Sequence, residues 1–115
     1  MRDHVLELMV QHAFERHIET IRDIAWGCGY AIGVHGSIRR DIDLIAAPWI
    51  TYATDDEVLA RSIAESVNGW ILYREGHPTW GAKPHGRRAY TIMLREPHAR
   101  TYLDLSVMPR LQQCA

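Results

Sequence analysis

From Asp3 to Trp26 the apolar residues Leu6, Met9, Val10, Ala13, Phe14, Ile18, Ile21, Ile24 and Ala25 recur at steps of three and four. That period predicts an amphipathic helix whose apolar stripe covers one face of a sheet. Gly27 and Gly29 follow at once and suit a left-handed C-terminal cap. The pattern then changes period. Tyr30 to His35 alternates, with Ile32 and Val34 opposed to Gly33 and His35, and Asp41 to Ala46 alternates again, with Ile42 and Leu44 opposed to Asp41 and Asp43. Successive strand side chains point to opposite faces, so these runs predict two antiparallel strands around the turn Gly36-Ser37-Ile38-Arg39-Arg40. Pro48, with no amide hydrogen to donate, closes the second strand.

Thr54-Asp55-Asp56-Glu57 reads as a capping box, with Thr54 accepting from the third helical amide and Glu57 reaching back. Capping accounts for every acid in this cluster better than a metal site does. Val58, Leu59, Ile63 and Val67 supply the helix's buried stripe, and Asn68-Gly69 ends it. Trp70 to Tyr73 is a short strand. Glu75 to Gly86 holds Gly76, Pro78, Gly81, Pro84 and Gly86, too many breakers for a regular element, and reads as a surface loop. Arg88 to Leu94 alternates with Tyr90, Ile92 and Leu94 on one side. Glu96-Pro97-His98 makes a turn, and Thr101 to Met108 alternates once more, with Tyr102, Asp104 and Ser106 opposed to Leu103, Leu105 and Val107. Pro109 ends this strand, and the remaining residues read as a tail. The order predicts an α+β fold, a mostly antiparallel mixed sheet with two helices on one face, in one domain spanning residues 1–115. Trp26, Trp49, Trp70 and Trp80 read as packing residues, with Trp80 also placed to stack on a base.

Composition narrows the class of protein more than its activity. With 47% hydrophobic and 23% charged residues the chain is ordinary and globular. A net charge of -1 gives no global field for nucleic acid or an anionic membrane, so a nucleic-acid module is the least favoured reading. No stretch approaches the roughly 18 uninterrupted apolar residues of a membrane span, and the start of the chain does not read as a signal peptide. The two cysteines, Cys28 and Cys114, lack metal-ligand spacing, so the expectation is a cytoplasmic protein with two free thiols and no membrane partner. His12 and His17 are five residues apart and do not share a helix face, which argues against a zinc pair.

The chemistry concentrates in the second alternating run. Asp41 and Asp43 share a strand face at roughly 6–7 Å between Cα atoms, within joint reach of one divalent cation, and hard cations such as Mg²⁺ favour oxygen ligands. Gly-Ser at a strand end, a short basic segment, then Asp-x-Asp-hydrophobic resembles the signature of the DNA polymerase beta-like nucleotidyltransferase superfamily, and also short phage- or prophage-encoded proteins. The resemblance covers the middle and end of the chain. It implies that Gly36 and Ser37 hold nucleotide phosphates, that Asp41, Asp43 and a third carboxylate, best matched by Asp104, are catalytic and bind two Mg²⁺ ions, and that the fold is similar. Arg39 and Arg40 in the turn, and Lys83, His85, Arg87 and Arg88 around the Gly/Pro loop, are the groups offered to nucleotide phosphates. Each also reads as an ordinary surface side chain. His35 beside Gly36 has the same standing as His85.

These readings imply a domain that binds a nucleoside triphosphate and transfers a nucleotidyl group to a hydroxyl acceptor. The acceptor is small, or is a protein or nucleic acid docked across the Gly/Pro loop. This chain departs from the family in placing only Ile38, Arg39 and Arg40 between Ser37 and Asp41, which leaves no room for a helix turn to receive phosphate. The alternative that follows is a catalytically inactive domain of the same fold that acts as a protein-binding inhibitor or antitoxin.

Overall fold

The structure is a computed structural model, and it describes residues 2–73, 75–96 and 101–111. The expected turn at Pro97-His98, the thiol of Cys114 and the end of the tail lie outside the described residues. The first helix, α1 (Arg2–Gly27), buries Val10, Ala13, Ile21 and Ala25 and leaves Val5 and Leu8 exposed near its start. Its end is set by Gly29 rather than Gly27. Gly29 has φ +93°, and a Cβ there would stand 2.8 Å from the Ala53 Cα, so both backbone conformation and space demand glycine.

Two helices lie on one face of a six-stranded, mostly antiparallel sheet, the α+β fold that the alternating pattern implies. The strands are β1 (Tyr30–Val34), β2 (Ile42–Pro48), β3 (Trp70–Leu72), β4 (Gly81–Ala82), β5 (Arg88–Leu94) and β6 (Thr101–Val107), in the order β1-β2-β6-β5-β3 with β4 also paired to β5. β2 and β6 are parallel, and every other pair is antiparallel. Alternation delivers the core from three adjacent strands: Ile42 and Leu44, Tyr90 and Ile92, and Leu103 and Leu105 are all buried under the helices. The breaker-rich segment is more ordered than its composition predicts. It contains β4 and a 3₁₀ turn at Pro84–Gly86, where His85 and Gly86 both have positive φ.

The second helix, α2 (Asp56–Ser66), starts one residue later than the capping-box reading has it. Asp55 is the cap and its carboxylate accepts from the Glu57 amide at 3.4 Å. Thr54 is held from both sides of its backbone, its amide donating to the Cys28 carbonyl and its carbonyl accepting from the Tyr30 hydroxyl at 2.6 Å. That anchoring leaves the Thr54 hydroxyl buried without a partner. The neighbouring acids are engaged elsewhere: Asp56 accepts from the Tyr90 hydroxyl and pairs with Arg88, and Glu57 accepts from Thr79.

The tryptophans also differ from expectation. Trp26 at the end of α1 is 57% exposed and stacks on Trp49, 43% exposed, with ring centroids 4.2 Å apart. Trp70, on the edge strand β3, lies under the Arg95 guanidinium. Trp80 alone packs against the core, with Arg88 over its ring. Among the described residues no helix is long and apolar enough to cross a membrane.

Candidate functional site

The parallel pairing of β2 with β6 sets Asp43 directly opposite Asp104. Parity explains why both face away from the helices. Their neighbours Ile42, Leu44, Leu103 and Leu105 are drawn into the core, so the intervening residues must emerge on the helix-free face. Neighbouring strands lie about 4.8 Å apart, which brings the carboxyls of Asp43 and Asp104 within hydrogen-bonding reach of each other. Thr91, in register with Asp104 on β5, donates its hydroxyl to Asp104 Oδ1 at 3.1 Å. Asp41 stands just before β2, close enough to feel the Asp104 charge.

The electrostatics follow from this crowding. Partial burial, then the Asp104 charge, pushes the Asp41 carboxyl above its ordinary value, against the opposing pull of Arg40. Asp43 is pushed up by burial, by the charges of Asp104 and Asp41 and by its hydrogen bond to Asp104, with His35 opposing. Like charges held together in this way favour a shared proton or a cation between them.

A cavity of about 450 Å³ opens beside the pair, lined by His35, Asp43, Lys83, Arg87, Thr91, Asp104 and Ser106 among others. The His35 amide donates to the Asp43 carbonyl at 2.8 Å, which carries the β1–β2 pairing up to the cavity wall. Gly36, at φ +73°, turns the chain beside the Asp43 carboxylate: a Cβ there would lie 4.0 Å from Asp43 Oδ2. Lys83 and Arg87 are brought over the same cavity by the 3₁₀ turn, which the Lys83 amide closes on the Arg87 carbonyl and the Arg87 Nε closes on the Pro84 carbonyl, each at 3.0 Å.

The remaining positions singled out in the sequence are dispersed. Ile38 packs against the core and draws the basic turn toward α1, so Arg39 faces Glu7 at 3.9 Å and shares a separate small cavity with Leu6, Glu7 and Arg40. Arg40 still lies near enough to Asp41 to oppose its shift. Ser37 sits in the bend between β1 and β2 and His85 at the 3₁₀ turn, both exposed; neither lines the carboxylate cavity. Arg88 points to the helix side, onto Asp56 and Trp80. The residue that sequence reasoning missed is Thr91. Its only signal is its place between the core positions Tyr90 and Ile92, and that becomes a signal only when β5 is known to border β6.

The donor set is oxygen only, which suits a hard cation such as Mg²⁺. Asp43 and Asp104 are the carboxylates that could hold one, and Asp41 is a further carboxylate whose charge is felt by Asp43 and which feels that of Asp104. Among the described residues, no group of three acidic, histidine or cysteine side chains is already gathered in ligand geometry, so Asp41 would have to swing in to complete a set. No known family model matches the chain, and no curated protein is similar to it in sequence.

Proposed function

We propose that the protein is a Mg²⁺-dependent nucleotidyltransferase-like domain that holds a nucleoside triphosphate at Asp41, Asp43 and Asp104 and transfers a nucleotidyl group to a hydroxyl. One observation carries this reading. Two carboxylates from strands remote in sequence stand opposite each other on the helix-free face, beside a cavity whose other walls include Lys83, Arg87 and His35. Acids alone would repel a polyphosphate and bases alone would not hold a cation; a cation–polyphosphate complex satisfies both.

In such a transfer the acceptor hydroxyl gives up its proton to solvent as its oxygen bonds to the α-phosphorus, while the bond to the bridging oxygen breaks and pyrophosphate leaves. Bound cations would neutralise phosphate charge and stabilise the attacking and departing oxygens. Asp43 and Asp104 would hold them, and Thr91 would keep the Asp104 carboxylate in its orientation. Lys83 and Arg87 would meet the phosphate oxygens. Ser37 and the Gly36 backbone would serve the phosphates only if the bend closes over the cavity. The acceptor, whether a small molecule, a protein or a nucleic acid, enters from the open face.

Thermal unfolding with and without Mg²⁺, in the presence of each ribonucleoside triphosphate, tests this reading in the wild type and in Asp43→Asn. Ligand that binds only the folded state stabilises it by mass action, by roughly 2.7 kcal/mol at a hundredfold excess over Kd, and so raises the midpoint. The expected result is a Mg²⁺-dependent rise that Asp43→Asn abolishes. No rise with any nucleotide would overturn it.

A second reading is favoured by a specific observation. The segment between β1 and β2 is a bend with no helical turn, so it offers no row of free amides to a phosphate. An inactive domain that acts by binding a protein partner would keep this turn and have no need of Asp41 or Asp104. It predicts that Asp41→Asn and Asp104→Asn leave its action intact while Arg87→Ala abolishes it.

A further inference from the structure

The helix-free face carries a second cavity, about 480 Å³, whose walls include Leu72, Tyr73, His77, Pro78 and Trp80. It is not separate from the carboxylate cavity, because Gly81, Ala89 and Thr91 line both. The register explains the continuity. Asp43 pairs with Asp104, Asp104 with Thr91, and Thr91 with Leu72, so four residues on four adjacent strands form one row across the open face. At about 4.8 Å per strand the row spans roughly 14 Å. Its middle is kept low by small side chains: Ala89 and Gly81 face each other across β5 and β4, and nothing lies within 4 Å of where a Gly81 Cβ would stand.

The two ends of this trough differ in chemistry. One end holds the paired carboxylates with Lys83, Arg87 and His35. The other is aromatic and mixed in polarity: Tyr73 is 64% exposed, His77 lines the same wall, and Trp80 is pinned between the core and the Arg88 guanidinium, 4.2 Å from its ring centroid. Thr79 offers little there, because its hydroxyl already donates to Glu57 at 2.7 Å. A ligand that fills the whole trough must therefore be charged at one end and present a flat face to an aromatic ring at the other.

We propose that the Tyr73 end of the trough is a base-binding subsite, where the exposed Tyr73 ring stacks the nucleobase of a nucleotide whose phosphates lie over Asp43 and Asp104, with Trp80 as a fixed wall beside it. This inference rests on the carboxylate reading above and adds to it the part of the ligand that is recognised. Aromatic rings accept any base on their π faces, so stacking on Tyr73 by itself predicts weak discrimination among bases.

Calorimetric titration in Mg²⁺ with ATP and with inorganic tripolyphosphate separates the two claims, using wild type, Tyr73→Ala and Tyr73→Phe. Tyr73 is a surface side chain outside the core, so its truncation leaves the fold in place, whereas Trp80 is avoided because it packs inside. Tripolyphosphate carries at least the negative charge of ATP, so any preference for ATP comes from the nucleoside. The expected result is ATP binding at least about tenfold tighter than tripolyphosphate, an approximately tenfold loss for ATP alone in Tyr73→Ala, and recovery in Tyr73→Phe. Equal affinity for both ligands, unmoved by either substitution, would overturn the subsite and leave the carboxylate site standing. Failure of both ligands to bind would overturn the carboxylate site and the subsite with it.

Discussion

Asp43 is the residue at which stability and the proposed chemistry conflict. Its carboxyl is raised by burial and by Asp104 and Asp41, so the fold prefers it protonated. The favourable contribution is complete below the ordinary carboxylate pKa and is lost as pH rises through the raised folded value. At neutral pH in metal-free buffer Asp43→Asn, which cannot carry the charge, should therefore unfold a few degrees above wild type, and the difference should vanish in acid; melting curves at several pH values check both parts. Tyr30 gives the same sign at the alkaline end. Burial, then the charge of Asp56, pushes its hydroxyl up to about 12, so its contribution is intact below about pH 10 and lost as pH rises through about 12. Urea titrations across that window should show wild type weakening more steeply than Tyr30→Phe. The substitution itself should cost about 1 kcal/mol at neutral pH through the lost bond to the Thr54 carbonyl.

The joints between elements are where single atoms decide. Gly69 links α2 to β3, and a Cβ there would lie 2.3 Å from the Met93 carbonyl oxygen on β5. Gly69→Ala must push β3 off β5 and should cost about 2–3 kcal/mol by chemical denaturation, whereas Gly33→Ala on β1, with nothing within 4 Å of the new methyl, should stay within about 0.5 kcal/mol. Period reveals the elements better than their joints. Ile42 and Leu44, Tyr90 and Ile92, Leu103 and Leu105 announce their buried side by alternation alone, and the same parity assigns Asp43 and Asp104 to the open face. What alternation does not carry is which strand lies beside which. The contact of Asp43 with Asp104 depends on a parallel pairing between segments about sixty residues apart, and neither run contains a local sign of it. Arg39 misleads for a related reason: its neighbour Ile38 reads as a turn residue, yet its anchoring in the core swings the guanidinium toward Glu7. The order in Gly81–Ala82 is hidden because glycine and proline signal a break, while the ladder to β5 needs only two backbone partners.

For the molecule as a whole, β6 is the strand on which both halves of the sheet depend. It lies between β2 and β5, and its Leu103 and Leu105 are fully buried. Leu105→Ala should lose about 2–5 kcal/mol, measured as a lowered denaturation midpoint with an unchanged slope. If the site binds Mg²⁺ and nucleotide as proposed, that binding should survive in this variant below its lowered midpoint, since the carboxylates are untouched. The central position of β6 also has a meaning in time. It follows every other described strand in the sequence, and on the ribosome the β1–β2 pair and the β3–β5 pair emerge before the strand that joins them. Until β6 inserts, Asp43 has no opposite number, and the proposed cation site is only half built. On the proposed reading, the site would be completed only as β6 closes the sheet, last of the described strands to leave the ribosome.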